Sequence, residues 1–276
     1  MYIIKASGEK EKYQPQKIVR TILRAGANKN LAREVIQKIE PFVYEGMSTK
    51  EILKLVRKFL SQKEKTVAAK YNLKKAIMQL GPTGFNFEKL VERILQKEGY
   101  QTSTPLVTQG RCAQHEIDVI AKKENSIYDI ECKYRNARGI YVGLQTALYV
   151  WARHQDLVGG SQNKKCPKFT QPWLWCNTRF SSQVIQYGCC AKMKLTGWDY
   201  PTKESLRDLL EKNKFYPITV LTSLSQKDKA NLFKNNIILI QDLLNQDLKK
   251  IQAKTKIDLN KLKNWIDQSK KILNLK

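Results

Sequence analysis

HEIDVIAKKENSIYDIECKYRN, His115 to Asn136, decides the reading of the middle of this chain. Ile117 and Val119 lie on one face of a first strand, a polar turn follows at Lys122 to Ser126, and Ile130, Cys132 and Tyr134 alternate in a second strand. That pattern is a β-hairpin. Period-two alternation puts Glu131 and Lys133 on one face and turns Asp118 away from its apolar neighbours Ile117 and Val119. A carboxylate from each of two adjacent strands can hold a hard cation through oxygen ligands. A neighbouring ammonium can orient a water and stabilise charge growing on a phosphate. Those residue types in that order are equipment for phosphodiester hydrolysis; the alternative is an ion-pair cluster on a half-exposed hairpin, worth little to stability.

Outward from the hairpin, the pattern from Phe85 to about Tyr200 is helix, strands, helix, strand, and Trp173-Leu174-Trp175-Cys176 has the apolar continuity of a buried strand. Upstream, a short strand at Tyr2 to Lys5 and a turn at Gly8 precede helical runs. Pro15 opens a helix carrying Ile18, Val19, Ile22 and Leu23. A second carries Leu31, Val35, Ile36 and Ile39 and ends before Pro41. A third is capped by Ser48 or Thr49 with Glu51 in its first turn, and a fourth spans Thr66 to Leu80. Gly81-Pro82-Thr83-Gly84 breaks the periodicity and marks a domain joint, and beyond Pro201 only helical periods remain. The expected division is therefore 1–83, 84–200 and 201–276.

The chain has 276 residues, with 50 Lys plus Arg against 25 Asp plus Glu, a net charge of +25 that favours a polyanionic partner, DNA first. The six cysteines have no CxxC spacing and only two histidines accompany them, which argues against structural zinc. No run of 18 apolar residues and no signal-peptide pattern occurs, so no membrane association and a cytoplasmic location are expected. No GxxxxGK[ST] occurs, so ATP hydrolysis is not expected.

Asp118 followed by Glu131-Cys132-Lys133, behind the helical stretch Phe87-Glu88-Lys89-Leu90-Val91, resembles the PD-(D/E)XK nuclease superfamily, its Mrr-like restriction endonucleases in particular, over roughly residues 85–200. The resemblance implies a restriction endonuclease-like α/β sandwich with a mixed sheet. It implies Asp118 and Glu131 as ligands of Mg²⁺ or Mn²⁺, Lys133 as the lysine that orients water and stabilises charge, and Glu88 as the helical carboxylate completing the catalytic set. Ile117 stands where the motif's name has proline. Gln145 is read as an exposed helix residue, and Arg135, Arg138, Arg153 and Arg179 as surface candidates for phosphate contact.

The opening Ile3-Ile4-Lys5-Ala6-Ser7-Gly8-Glu9-Lys10-Glu11-Lys12-Tyr13-Gln14-Pro15-Gln16-Lys17-Ile18, with Val67-Ala68-Ala69-Lys70-Tyr71, resembles an ATP-cone, a small regulatory domain of a short β-hairpin plus helices. The likeness implies ATP or dATP as a regulatory ligand, with Lys5, Gly8, Glu11 and Lys17 at its site. Gly8 permits a tight turn, and Lys5 and Lys17 can neutralise triphosphate oxygens. Ala6-Ser7 stands where the family commonly has Arg-Asp. Leu224 to Ile238 is faintly similar to a helix-hairpin-helix, with Asn235-Asn236 in place of a glycine turn, and Lys249, Lys250, Lys254, Lys256, Lys261 and Lys263 offer DNA-backbone contacts. The expectation is a metal-dependent DNA endonuclease of restriction type controlled by nucleotide, and double-strand cutting would require two sites and hence a homodimer. The alternative is a non-catalytic, nucleotide-responsive DNA-binding regulator.

Overall fold

Tyr2–Ile4 (β1) pairs antiparallel with Lys10–Lys12 (β2) across a turn in which Gly8 has φ +86°, a conformation glycine adopts without steric cost. This computed structural model describes residues 1–104, 106–162, 166–221 and 223–275. Helices α1 (Pro15–Arg24), α2 (Lys29–Ile39) and α3 (Thr49–Lys63) follow, and a 3-10 turn at Glu40–Phe42 accommodates Pro41. The Asn28 side chain caps α2 by accepting from the Leu31 N–H at 2.8 Å, and Ser48 with Glu51 forms a capping box on α3. Ile22, Val35, Ile39, Ile52, Val56 and Leu60 interlock as the core of these helices. The expected fourth helix is two short ones, α4 (Lys65–Tyr71) and α5 (Leu73–Ile77), broken at Asn72. Asparagine competes poorly for a helix interior because its side chain offers the backbone other partners.

The central body begins with α6 (Phe85–Lys97) and β3 (Gln101–Ser103) and continues through β4 (Leu106–Gln109), β5 (Gln114–Ile117), β6 (Val119–Lys123), β7 (Ser126–Lys133) and β8 (Tyr141–Val142). It is completed by α7 (Leu144–Gln162), β9 (Gln171–Cys176), β10 (Arg179–Phe180), α8 (Ser182–Cys190), β11 (Lys194–Thr196) and α9 (Leu206–Lys212). A five-stranded mixed sheet runs in the order β11-β9-β7-β6-β3, with β7, β9 and β11 parallel and β6 and β3 antiparallel to their neighbours. The β6–β7 hairpin closes at Glu124 and Asn125, Glu124 taking φ +53°. The first strand of the quoted stretch is interrupted at Asp118. β5 pairs with β4 in a separate two-stranded sheet, while β6 pairs with β7. Leu174, Cys176 and Leu195 of the sheet pack with Ala147 and Val150 of α7 and Val184 of α8.

The C-terminal helices are α10 (Gln226–Lys234), α11 (Ile240–Leu244), α12 (Leu248–Thr255) and α13 (Leu259–Leu273). Asn236 (φ +58°) and Lys256 (φ +57°) take the left-handed conformation in the turns that follow α10 and α12. The backbone divides into two compact units, one of Met1–Gln79 with Phe215–Lys276 and the other of Leu80–Lys214. The first and last segments of the chain thus belong together. The Thr219 hydroxyl donates to the Ala76 carbonyl at 2.7 Å in a buried bond, and the Lys70 ammonium lies 5.8 Å from the Tyr216 ring centroid. Residues 201–214, expected with the C-terminal helices, pack with the central body instead. Leu206 and Leu210 of α9 are fully buried, and the Glu98 carboxylate holds Lys212 at 2.6 Å and Asn213 at 2.8 Å. A proline alone was a weak boundary signal there.

Candidate functional site

Asp118 occupies the joint between β5 and β6. Its Oδ2 accepts the backbone N–H of Cys132 on β7 at 2.7 Å, a side-chain bond made beside the β6–β7 ladder where the first strand is interrupted. Asp129, Glu131 and Lys133 alternate onto a common face of β7, in register with Pro172, Leu174 and Cys176 of β9. Glu131 is buried; one of its carboxylate oxygens pairs with the Lys133 ammonium and the other with the guanidinium of Arg153 from α7. Glu88, in the first turn of α6, completes the group electrostatically. Burial pushes its carboxyl up to about 7, reinforced by the negative charges of Asp118, Glu116 and Glu131 and opposed by Lys133. Burial and Glu131 push Asp118 up to about 6, against the Cys132 bond, Arg153 and Lys133. Carboxyls raised this far above their ordinary values are out of water and crowded by their own kind.

The four residues singled out from the sequence, Glu88, Asp118, Glu131 and Lys133, are therefore within one another's electrostatic reach. The donor set is one that a hard divalent cation suits, because oxygen ligands and a positive charge would relieve the repulsion among the carboxylates. Among the described residues, no three His, Cys, Asp or Glu side chains are disposed as a metal-binding group. Both oxygens of Glu131 already have cationic partners.

Two features were not foreseen. Arg153, expected at the surface, is 2% exposed, with Glu131 and Asp129 favouring its charged state against the burial that opposes it. Its neighbour His154 bonds Asp129 through Nδ1 at 2.7 Å, both side chains buried. The signal lay in α7: Ala147, Val150 and Leu157 define its inner face, and helical spacing puts Arg153 and His154 on that face. Gln145 is exposed. Arg179 pairs with Asp199 at 2.8 Å. The Asp156 carboxylate accepts from His115 Nε2 at 2.8 Å and from the N–H groups of Cys112 and Ala113. Although burial opposes it, these bonds hold Asp156 well below the usual carboxylate range and fix the β4–β5 turn.

In the first unit, Glu11 gathers both candidate lysines. Lys17 pairs with it directly and Lys5 lies 3.7 Å away, while Lys5 also meets Glu9 at 3.3 Å. The Lys17 bond is the main cause holding the Glu11 carboxyl below its ordinary value. The Lys5 carbonyl accepts the Gly8 N–H at 2.9 Å, closing the turn. A separate cleft of about 560 Å³ is lined by Lys54, Arg57, Lys58 and Glu51 together with Met47, Leu55 and Ser61; Lys5, Gly8, Glu11 and Lys17 are not among its lining.

Comparison with known proteins finds a family match at each end of the chain. Residues 1–77 match the ATP cone domain family, so the N-terminal segment is an ATP-cone domain, and the match supports nucleotide triphosphate binding there. Residues 216–273 match the family described as AF1548-like, C-terminal. An uncharacterized protein of Archaeoglobus fulgidus is 34% identical over 181 residues, which is 66% of this chain and 98% of the relative. A solved structure titled as the crystal structure of a protein of unknown function, AF1548, matches with a TM-score of 0.59 and 32% identity, covering 70% of this chain and 99% of that one. The chain belongs to the AF1548-like family. No helix among the described residues is long and apolar enough to cross a membrane.

Proposed function

We propose that the central unit is a restriction endonuclease-like, metal-dependent endodeoxyribonuclease, and that ATP or dATP bound by the ATP-cone regulates it. The observation that carries the reading is the mutual crowding of Glu88, Asp118 and Glu131 beside Lys133. Burial first, and then neighbouring carboxylates, raise Glu88 to about 7 and Asp118 to about 6. Asp118 and Glu131 would hold Mg²⁺ or Mn²⁺. Bound there, the cation supplies Lewis-acid polarisation of the scissile phosphate. Lys133, half-exposed beside Glu131, orients the attacking water and stabilises charge on the phosphate oxygens. Glu88, with its carboxyl near 7, is matched to accept a proton from that water or return one to the leaving oxygen. The net charge of +25 and the exposed lysines of α12 and α13 support a DNA partner. Cutting both strands would engage two copies.

The test is cleavage of supercoiled plasmid with Mg²⁺ or Mn²⁺ by the wild type and Asp118→Ala, each with and without ATP or dATP. Nicking or linearisation that the substitution removes supports the nuclease. A wild type that binds DNA yet cuts no duplex, methylated or single-stranded substrate turns the reading to a nucleotide-responsive DNA-binding regulator. One observation favours that second reading: the two oxygens of Glu131 are engaged by Lys133 and Arg153.

A further inference from the structure

The loop that leaves β7 directly after Lys133 is held at both of its feet. At the first, the Arg135 N–H donates to Asn177 Oδ1 at 2.8 Å, and Asn177 Nδ2 donates back to the Arg135 carbonyl at 2.7 Å. Asn177 is fully buried, so this two-way staple is shielded from water and rigid. At the second, β8 pairs in parallel with β10, Tyr141 beside Arg179 and Val142 beside Phe180, and the Val142 side chain is packed into the core. Both anchors fall on residues 177–180, which follow directly on the strand that meets Lys133 at Cys176. Between the anchors the backbone turns at Gly139, with φ +81°.

This braced loop presents apolar side chains to water. Ile140 is 44% exposed and its neighbour Tyr141 41%. Single exposed apolar residues are ordinary, but two in succession on an anchored loop beside a candidate site form a contact surface. The charge around them selects the partner. From Tyr134 to Gln155 the sequence has no Asp or Glu, while Arg135 and Arg138 lie in the loop and Lys133 at its root. Cations that meet phosphates around an apolar side chain that enters between bases are a recurring way of gripping and kinking DNA.

Resting on the DNA reading above, we propose that Ile140, backed by Tyr141, is a wedge that enters the base stack next to the site, so that the preferred substrate is DNA whose stack is already interrupted by unpaired bases. Prying apart a step of continuous duplex costs a few kcal/mol, and at an interruption the step is open beforehand. The test is equilibrium binding of the full-length protein to two DNAs of one sequence, a continuous duplex and the same duplex with a central unpaired bulge, in EDTA and at one salt concentration. Nothing is cut under these conditions, so the outcome is independent of catalysis. The wild type should bind the bulged DNA at least about tenfold more tightly. Ile140→Ala, at an exposed position, should lose most of that preference while keeping its affinity for the continuous duplex. A 2-aminopurine beside the bulge should brighten when the wild type binds and stay dim with Ile140→Ala. Equal binding of the two DNAs by the wild type, or a preference that survives Ile140→Ala, overturns the inference and leaves the nuclease reading to the plasmid assay. Binding to neither DNA overturns both.

Discussion

The Asp118 carboxylate and the Cys132 backbone N–H are joined by a 2.7 Å hydrogen bond that crosses from the β5–β6 joint to β7. The bond does two things at once. It repairs the ladder where the strand is interrupted, and it aims Asp118 toward the Glu131 and Lys133 end of β7. Asp118→Asn can keep this bond through its amide oxygen while losing the negative charge. The expected result is a folded protein, unchanged in circular dichroism, whose plasmid cleavage rate falls by at least about 10²-fold.

Glu88 makes stability depend on pH in a defined direction. Its carboxyl moves from an ordinary 4.5 up to about 7 in the folded protein, so the native state binds the proton more tightly than the unfolded chain. The contribution is fully present below about 4.5 and is lost as the pH rises through 7. Glu88→Gln should therefore raise Tm relative to the wild type at pH 8, with the gain shrinking toward pH 4, in metal-free thermal melts. An equal Tm difference at both ends would show that Glu88 does not titrate in this range.

Ser48 and Glu51 cap α3 reciprocally, the Ser48 N–H donating to Glu51 at 3.0 Å and the Glu51 N–H to Ser48 Oγ at 3.2 Å. Ser48→Ala should cost about 1 kcal/mol in urea unfolding of the first unit without altering the chemistry of the central one.

Lys17 and Lys5 neutralise Glu11 in the form described here, and the proposed nucleotide site asks them to meet phosphate as well. Lys17→Ala should weaken ATP binding by about tenfold, read by isothermal titration, since a charge-assisted hydrogen bond to phosphate contributes on that order. Unchanged affinity would show that Lys17 makes no contact with the phosphates.

Lys249 and Lys254 of α12 are exposed. If they meet DNA phosphates, replacing both by alanine should weaken binding to all sequences alike and reduce the slope of log affinity against log salt by roughly 2. A slope that stays the same would place the DNA elsewhere.

What the sequence made legible was local. The β6–β7 hairpin, the Ser48 cap and the buried run at Trp173 to Cys176 follow from alternation, capping chemistry and hydrophobicity over a few residues. The sharing of a face by Glu131 and Lys133 was equally readable, and they pair. The interruption at Asp118 was not, because the bond that its side chain makes there reaches a residue on the next strand. Arg153 was read as surface because charge is usually solvated, and only its distant partner Glu131 makes its burial tolerable. Periodicity also carried no sign that Thr219 would hydrogen-bond the Ala76 carbonyl, far back along the chain.

That last contact bears on how the protein is made. The helices that pack with the ATP-cone domain follow the whole central body in the chain, so during synthesis the surface of α4 and α5 that they cover stays open until Phe215 onward has emerged. The central body, continuous in sequence, can finish folding first. A released chain ending at Lys214 should therefore protect the β6–β7 hairpin from protease while leaving α4 and α5 more open to cleavage than in the full-length protein.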